Sequence, residues 1–284
     1  MSLTSFILKF AAPIPQVESF DRYLFVGPHP DDIEIGAGAT IAKLVEAKKK
    51  VAFLICLDGR YGDGNSGGLT GDVLAVRRRE EAVASAAVLG VKDIYFLGRD
   101  PWKKSVLALT EEQMRKAEPL CDGGFYSMDD MIQGIASAID TVRPDIVFAP
   151  DHHSQSECHI DHLNVGQAVS RVACFAPYAG ILARYLPGRV NEEAEAVSVK
   201  AIGFYMTAKP NWFVRTTRKQ LETQFDSIAE HHSQYPDQSG ELESIKTYLK
   251  LRSVNYGLRK GGLHGEGFRV LGTLHMHCLP EAGL

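Results

Sequence analysis

Short apolar strands and amphipathic helices alternate along the first two thirds of the chain. The candidate strands are rich in β-branched and aromatic residues, and the stretches between them have helical spacing. Strands are predicted at 22–27, 51–57, 93–97 and 145–149, and helices at about 38–48, 72–89 and 128–142. Such an alternation indicates βαβ units. We therefore predict an α/β fold whose Rossmann-like, doubly wound, mostly parallel sheet carries helices on both faces.

The last third of the chain is less regular and predicts a smaller C-terminal α+β part. A strand near 200–206 precedes a turn at 209–211, helices follow at about 217–232 and 239–256, and a last strand is expected near 267–274. The simplest organisation is one domain over 1–284, with an N-terminal extension to about 20, a core at about 20–180 and a C-terminal part at about 181–284 that completes the pocket. The long loops at 58–71 and 98–127 are typical of functional segments.

Composition narrows the classes of partner. The 284 residues carry a net charge of −4, which gives no electrostatic reason to expect nucleic acid or an anionic membrane surface as a partner. The five cysteines form no C-x-x-C pair, and no apolar run reaches the length of a membrane span. These features favour a reducing, cytoplasmic location.

The first candidate site is the corner "PHPDD" at 28–32, which directly follows the first predicted strand. In an open parallel sheet, ligands bind beyond the carboxyl ends of the strands. The prolines on either side of His29 stiffen the corner, and the three-residue spacing of His29 and Asp32 can bring their side chains together. A plainer interpretation is a capped turn, because aspartate is a favoured residue at helix N-termini.

A second polar run, at 151–162, follows the strand at 145–149 and precedes another helical pattern at 163–175. It ends in "HIDH", where His159 and His162 are three residues apart and share one face of a helical turn. Histidines and carboxylates from two strand ends match a catalytic zinc site, in which three protein ligands leave one position open. The alternative is a cluster of histidines on an exposed loop.

Together these two motifs resemble the LmbE-like, or PIG-L-type, N-acetylglucosaminyl deacetylase family, and most closely its diacetylchitobiose deacetylase branch. The resemblance covers roughly 20–278. Besides "PHPDD" and "HIDH" it rests on four segments: "RRREEAVASAAVLGV" (77–91), "FYMTAKPN" (204–211), "HHSQYPD" (231–237) and "GEGFRV" (265–270). Two positions depart from the family pattern: Ile33 replaces a frequent acidic residue, and Ile160 replaces the usual proline. Neither position is a metal ligand in that pattern.

The resemblance and the positions of residues in the predicted elements together suggest a role for nine residues. His29, Asp32 and His162 would bind zinc, with other divalent metals possible at a His/Asp site, and Asp31 would be the general base. His159 would protonate the leaving amine or steady the oxyanion, with Asp161 as its orienting partner. Arg77, Asp100 and His277 would bind substrate, and Asp100 would do so by holding sugar hydroxyls or would instead anchor Arg77. For Arg77 the alternative is a solvated helix face, and for Asp100 a plain loop position.

The expected activity is removal of the N-acetyl group from a small, soluble GlcNAc-type sugar by a zinc-dependent hydrolase. The resemblance also implies a homo-oligomer, with a hexamer as one form, in which His277 completes its own pocket or a neighbour's. One alternative is a related amide hydrolase that acts on a sugar conjugate. Another is a sensor without catalysis, suggested by "GAGAT" at 36–40, although that segment does not fit a dinucleotide-binding loop.

Overall fold

The computed structural model of the protein describes residues 11–97, 120–186, 195–236 and 240–277. The strands are β1 (Arg22–Gly27), β2 (Lys50–Ile55), β3 (Asp93–Phe96), β4 (Ile146–Pro150), β5 (Ala201–Tyr205), β6 (Trp212–Thr216) and β7 (His264–Gly272). The helices are α1 (Asp32–Glu46), α2 (Gly71–Val88), α3 (Met128–Val142), α4 (Ile160–Phe175), α5 (Ala179–Tyr185), α6 (Arg218–Ala229), α7 (Glu241–Arg259) and α8 (Thr273–His277). A 3₁₀ turn at Val17–Ser19 precedes β1.

The strands form one seven-stranded sheet in the order β3-β2-β1-β4-β5-β7-β6. The first five of these positions are parallel, whereas β7 runs antiparallel to both β5 and β6. The predicted Rossmann-like, mostly parallel sheet is thus confirmed. Because β1 lies between β2 and β4, the strand order reverses at the β1–β4 pair, where open α/β sheets place their ligands.

Each face of the sheet has its own core, as the period-2 alternation of a buried strand requires. In β1, Leu24 and Val26 pack into one cluster with residues of α3 and α4. Tyr23 and Phe25 pack into the opposite cluster with residues of α1 and α2. The two covered faces leave the strand ends as the part of the sheet that is free to carry chemistry.

Helix α1 begins at Asp32, six residues before the predicted start at about 38. The prediction was delayed by Gly36 and Gly38, which weaken a helix in isolation. Both glycines are needed for packing: a Cβ at Gly36 would overlap the ring of Tyr205, and one at Gly38 would overlap the side chain of Gln224. The early start places the end of the "PHPDD" corner in the first turn of α1.

Three elements escaped the sequence prediction. Strand β6 is only partly buried, so it lacks a strong apolar pattern, and α5 and α8 are each too short to show helical periodicity. The last strand begins at His264, earlier than predicted. Across the described ranges, no helix combines the length and the hydrophobicity that a membrane crossing requires.

Candidate active site

The two polar corners meet at the β1–β4 switch point. His29 follows β1, and Asp161 lies in the first turn of α4, just beyond β4. Although the two residues are 132 positions apart, His29 Nε2 lies 3.0 Å from Asp161 Oδ2. The adjacency of β1 and β4 therefore assembles one site from both motifs.

A potential metal centre lies between His29, Asp32 and His162. His29 Nδ1 is 3.1 Å from Asp32 Oδ2, and His162 Nε2 is 3.3 Å from Asp32 Oδ1. In a tetrahedral site with zinc–ligand bonds of about 2.0–2.1 Å, neighbouring ligand atoms are about 3.3 Å apart. Asp32 thus lies within ligand spacing of both histidines, with one carboxylate oxygen toward each ring.

Carboxylates hold the outer nitrogens of both histidines. Asp161 contacts His29 Nε2 at 3.0 Å, and Glu157 Oε2 lies 3.0 Å from His162 Nδ1. Histidines that bind metal typically donate their second N–H to such a partner, which fixes the tautomer and the ring orientation. This pairing leaves His29 Nδ1 and His162 Nε2, the nitrogens that face Asp32, available to a metal.

The electrostatic field of the centre favours positive charge. Burial by itself lowers the pKa of His29, but hydrogen bonds to Asp161 and Asp32 outweigh it and raise the pKa to about 10. For His162, burial is likewise outweighed by the charge of Asp32 and by hydrogen bonds to Asp32 and Glu157, which raise its pKa to about 9. Three carboxylates, from Asp32, Asp161 and Glu157, surround the two imidazoles and create a site in which a divalent cation would replace bound protons.

Asp31 lies beside this centre but is directed away from it. Its backbone has φ 129°, an uncommon value for a residue other than glycine and one found most often at functional sites. Tyr235 donates a hydrogen bond to Asp31 Oδ2 at 3.1 Å, and Arg78 Nη2 lies 3.5 Å from the same oxygen. Its side chain caps no helix N–H, so the capped-turn interpretation does not describe it.

Burial raises the pKa of Asp31, and the nearby charge of Arg78 opposes that rise. Tyr235 and Arg78 both contact Oδ2 of Asp31. Asp31 is thus next to Asp32 in the chain but is held by different partners. A carboxylate with an elevated proton affinity beside a candidate metal centre is a candidate for a general base.

His159 belongs to the same cluster, since donor atoms of His29, His159 and His162 all lie within 4.8 Å of one another. It is also the N-cap of α4, where its Nδ1 accepts a long hydrogen bond from the backbone N–H of Asp161 at 3.4 Å. Burial and the charges of His29 and His162 lower the pKa of His159. A neutral ring whose Nδ1 is an acceptor carries its proton on Nε2, where it can donate.

Asp161 orients a different histidine from the one predicted. It lies 3.8 Å from His159 Nδ1 but 3.0 Å from His29 Nε2. The backbone N–H groups of Gly123 and Gly124 donate to its two oxygens at 2.7 and 2.9 Å. Asp161 is thus fully buried behind His29, with its lone pairs satisfied from the loop that precedes α3.

The arginine that contacts the site is Arg78, whereas Arg77 was the predicted one. Arg77 is half exposed and its Nε donates to Glu81 Oε1 at 2.9 Å. Arg78 is 3% exposed and donates to the carbonyl oxygens of Pro30 and Gly59 at 2.9 and 3.1 Å. Adjacent helical residues are about 100° apart, so only one of the two can face the corner.

Of the other two residues predicted to bind substrate, one is not described and one lies apart from the cluster. Asp100 lies outside the described residues. His277 is exposed on α8, where its Nε2 is 3.5 Å from Cys174 Sγ. Cys174 follows His162 by twelve residues in α4, about 18 Å along the helix axis. The geometry of a single chain therefore separates His277 from its own metal centre.

Sequence reasoning missed three residues of the site: Arg78, Glu157 and Tyr235. Glu157 is part of the polar run at 151–162, and Tyr235 is part of "HHSQYPD", so both lay within segments that were singled out. Ser233 of that second segment donates through its N–H to Glu81 at 3.0 Å. The 231–235 segment is thereby fixed against α2, and Tyr235 reaches Asp31 from there.

Replacing Arg78 with methionine is expected to lower the free energy of unfolding by about 3–5 kcal/mol, because a buried charge partner is removed and two carbonyls lose their donor. Arg77→Met is the matched control and should change stability by less than about 1 kcal/mol. Urea denaturation of both variants measures the difference. Equal losses in the two variants would contradict the assignment of Arg78 as the buried partner of Asp31.

Comparison with known proteins agrees with this geometry. The family model described as "PIG-L: GlcNAc-PI de-N-acetylase" matches residues 24–173, which include both corners. The diacetylchitobiose deacetylase of Thermococcus kodakarensis is 31% identical over 261 residues, which are 92% of this chain and 87% of that enzyme. The chain belongs to the PIG-L family.

Among solved structures, the N,N'-diacetylchitobiose deacetylase of Pyrococcus horikoshii, in complex with an inhibitor, superposes with a TM-score of 0.77 at 27% identity, covering 99% of this chain and 97% of that one. The 4-carboxy-2-hydroxymuconate hydratase GalB of Pseudomonas putida has a TM-score of 0.63 at 18% identity, with coverage of 88% and 96%. This second likeness concerns the fold alone. Because a hydratase shares this fold, the side chains of the site, and not the fold, distinguish one activity from another.

Proposed function

We propose that this protein is a zinc-dependent hydrolase that removes the N-acetyl group from a small GlcNAc-containing sugar of the GlcNAc or diacetylchitobiose type. The observation that carries the proposal is that the two adjacent carboxylates at the β1–β4 switch point have different partners: Asp32 contacts two histidines, and Asp31 contacts Tyr235 and Arg78. Three side chains, His29, Asp32 and His162, would bind the metal. Asp31, next to them in the chain, is held apart by its own partners. Amide hydrolysis needs both a metal centre and a separate base.

A divalent metal bound by these ligands would polarise the amide carbonyl and lower the pKa of a water molecule. The remaining work falls to the protein. Asp31 accepts the proton of the attacking water through the carboxylate oxygen that Tyr235 and Arg78 leave free. Tyr235 and Arg78 hold that carboxylate in its orientation, and its burial keeps the base away from bulk water.

His159 is proposed to act on the tetrahedral intermediate, after the attack that Asp31 assists. Its Nε2–H is available to steady the oxyanion of the tetrahedral intermediate. The proton that Asp31 takes from the attacking water can then pass to the leaving amine. Asp161 would not contact the substrate or the metal. It is a positioning residue, because it holds the ring of His29. Glu157 fixes the ring of His162 in the same way. The side chains of the site thus differ in role because their partners differ.

Several features of the proposal rest on the family resemblance. Arg77, Asp100 and His277 remain candidates for substrate binding, and His277 fits a role in a neighbouring subunit's pocket better than in its own. A homo-oligomer, a cytoplasmic location and the organisation of the chain as one deacetylase domain belong to the same proposal. Zinc is the proposed metal, although His/Asp sites also accept other divalent ions.

A sugar conjugate is the second candidate substrate. It is supported by the 1D-myo-inositol 2-acetamido-2-deoxy-alpha-D-glucopyranoside deacetylase of Mycolicibacterium smegmatis, which is 23% identical over 241 residues, 80% of each chain. The metal centre and the base would be the same for both substrates. Only the groups that contact the rest of the molecule would differ.

Acetate release from GlcNAc, N,N'-diacetylchitobiose and a GlcNAc–inositol conjugate tests the proposal directly. We expect turnover of at least one of these compounds, its loss with EDTA, and its return when zinc is added back. The apo protein supplemented with magnesium serves as the control for metal identity. Turnover that persists in the fully metal-free protein would contradict metal-dependent hydrolysis.

A further inference from the structure

Two aromatic rings stand exposed on loops next to the proposed active site. Phe125 is 79% exposed and Tyr61 is 59% exposed, and their ring centroids are 6.4 Å apart in an edge-to-face arrangement. Tyr61 belongs to the loop after β2, whereas Phe125 belongs to the loop before α3. Exposed aromatic pairs contributed by separate loops are costly to leave in water, and they are common where a ligand covers them.

Short contacts connect this pair to the metal centre. The ring of Phe125 lies against Gly123, where an added Cβ would come 3.4 Å from the ring atoms. Gly123 N–H donates at 2.7 Å to Asp161 Oδ2, and the same oxygen contacts His29 at 3.0 Å. On the other loop, Tyr61 N–H donates to Asp122 Oδ2 at 3.1 Å. The loop segments that carry the two rings are therefore connected to His29 through the carboxylates of Asp122 and Asp161.

Exposure increases steeply from the reacting centre to these rings. His29 and Asp31 are each only 8% exposed, so the acetamido group that reacts must reach into a nearly closed corner. Ile160, which lies beside Gly124, is 47% exposed and extends the apolar rim. Phe125, Tyr61 and Ile160 are thus exposed apolar side chains on the segments next to this corner.

We propose that Phe125 and Tyr61 form a stacking platform for the second sugar ring of a disaccharide whose first ring carries the acetamido group under attack. A pyranose presents an apolar face of C–H groups, which an aromatic ring can cover without requiring a specific hydrogen bond, while its hydroxyl groups stay in water. This inference rests on the proposed deacetylase function and makes it more specific, because it names two residues that would distinguish a disaccharide from a monosaccharide.

The test compares N,N'-diacetylchitobiose with GlcNAc as substrates of Phe125→Ala, Tyr61→Ala and the double variant. For the disaccharide we expect kcat/KM to fall by about tenfold in the single variants, mainly through a higher KM. For GlcNAc, kcat/KM should stay within about twofold of the wild-type value, since a monosaccharide does not reach the platform. Phe125→Tyr, which keeps the ring, should restore the disaccharide value.

Tyr248→Ala is the matched control, because Tyr248 on α7 has the same exposed fraction as Tyr61, 59%. This variant should resemble the wild type with both sugars. Metal content is measured in every variant, since the Gly123 amide also supports Asp161. An equal fall for both sugars, or a fall that follows the loss of metal, would show that the rings only support the loop and would overturn the platform.

Failure of the platform and failure of the proposed function give different results. If the wild type releases acetate from the disaccharide but Phe125→Ala does so equally well, the platform is wrong and the deacetylase stands. If the wild type releases no acetate from either sugar, the platform is tested separately by calorimetric titration, which measures the binding of N,N'-diacetylchitobiose. Binding weakened about tenfold by Phe125→Ala would support it, whereas unchanged or undetectable binding would reject it.

Discussion

Asp31→Asn is expected to lower kcat by about 10²–10⁴-fold while leaving metal binding intact, because it removes the proton acceptor and no metal ligand. Asparagine has nearly the shape of aspartate, and it tolerates positive φ better than most residues do, so the corner should keep its backbone. Its carbonyl oxygen can still accept the hydrogen bond from Tyr235. Steady-state acetate release and metal analysis of the same preparation measure the two properties together.

The neighbouring carboxylate provides the control for this prediction. Asp32→Asn changes a proposed metal ligand, so it should reduce metal affinity as well as turnover. If Asp31→Asn keeps wild-type turnover, Asp31 is not the base. If instead it loses the metal, the roles of Asp31 and Asp32 are exchanged. The contrast depends on the observed partners: Asp32 faces His29 and His162, whereas Asp31 faces Tyr235 and Arg78.

His162→Ala is expected to weaken metal binding by more than about 100-fold and to abolish acetate release at ordinary zinc concentrations. The estimate follows from the effect of outer partners, whose loss alone costs about 10–100-fold in metal affinity. Loss of a direct ligand should exceed that range. Equilibrium dialysis against buffered zinc, followed by elemental analysis, gives the dissociation constant.

Two companion variants make the result interpretable. Glu157→Ala removes the carboxylate that lies 3.0 Å from His162 Nδ1, and it should weaken zinc binding by about 10–100-fold, less than His162→Ala does. His232→Ala changes an exposed histidine of the described chain and should leave affinity unchanged. Zinc affinity that is equal in the wild type and His162→Ala would place the metal elsewhere.

The sequence was most informative about residues that directly follow predicted strands, because the ends of parallel strands lie at one edge of the sheet. Alternating strands and helices predict a parallel sheet, and polar runs after two strands predict side chains at one edge of it. "PHPDD" and "HIDH" therefore suffice to predict that His29 and His162 share a site. The two motifs come close in space because β1 and β4 are adjacent strands. The sequence alone does not give this strand order.

The sequence was least informative where a residue's role depends on its direction. From the sequence alone, Arg77 and Arg78 are equally plausible contacts of Asp31. The orientation of α2 buries the side chain of Arg78 and leaves that of Arg77 partly exposed. The sequence pairs Asp161 with the nearby His159, whereas the close approach of the β1 end and α4 places it against His29 instead. Tyr235 reaches Asp31 from 204 residues away, a pairing that no local pattern encodes.

By itself, then, the sequence determined the fold class, the two corners and the types of side chain that they carry. Local propensity, hydrophobic periodicity and the stiffness of a proline-flanked turn act over a few residues, and these effects can be read from the chain. Only the tertiary structure decided which nitrogen faces Asp32, which arginine contacts Asp31 and which carboxylates support the histidines. Those choices depend on contacts between distant segments, whose geometry is set when the two faces of the sheet are packed.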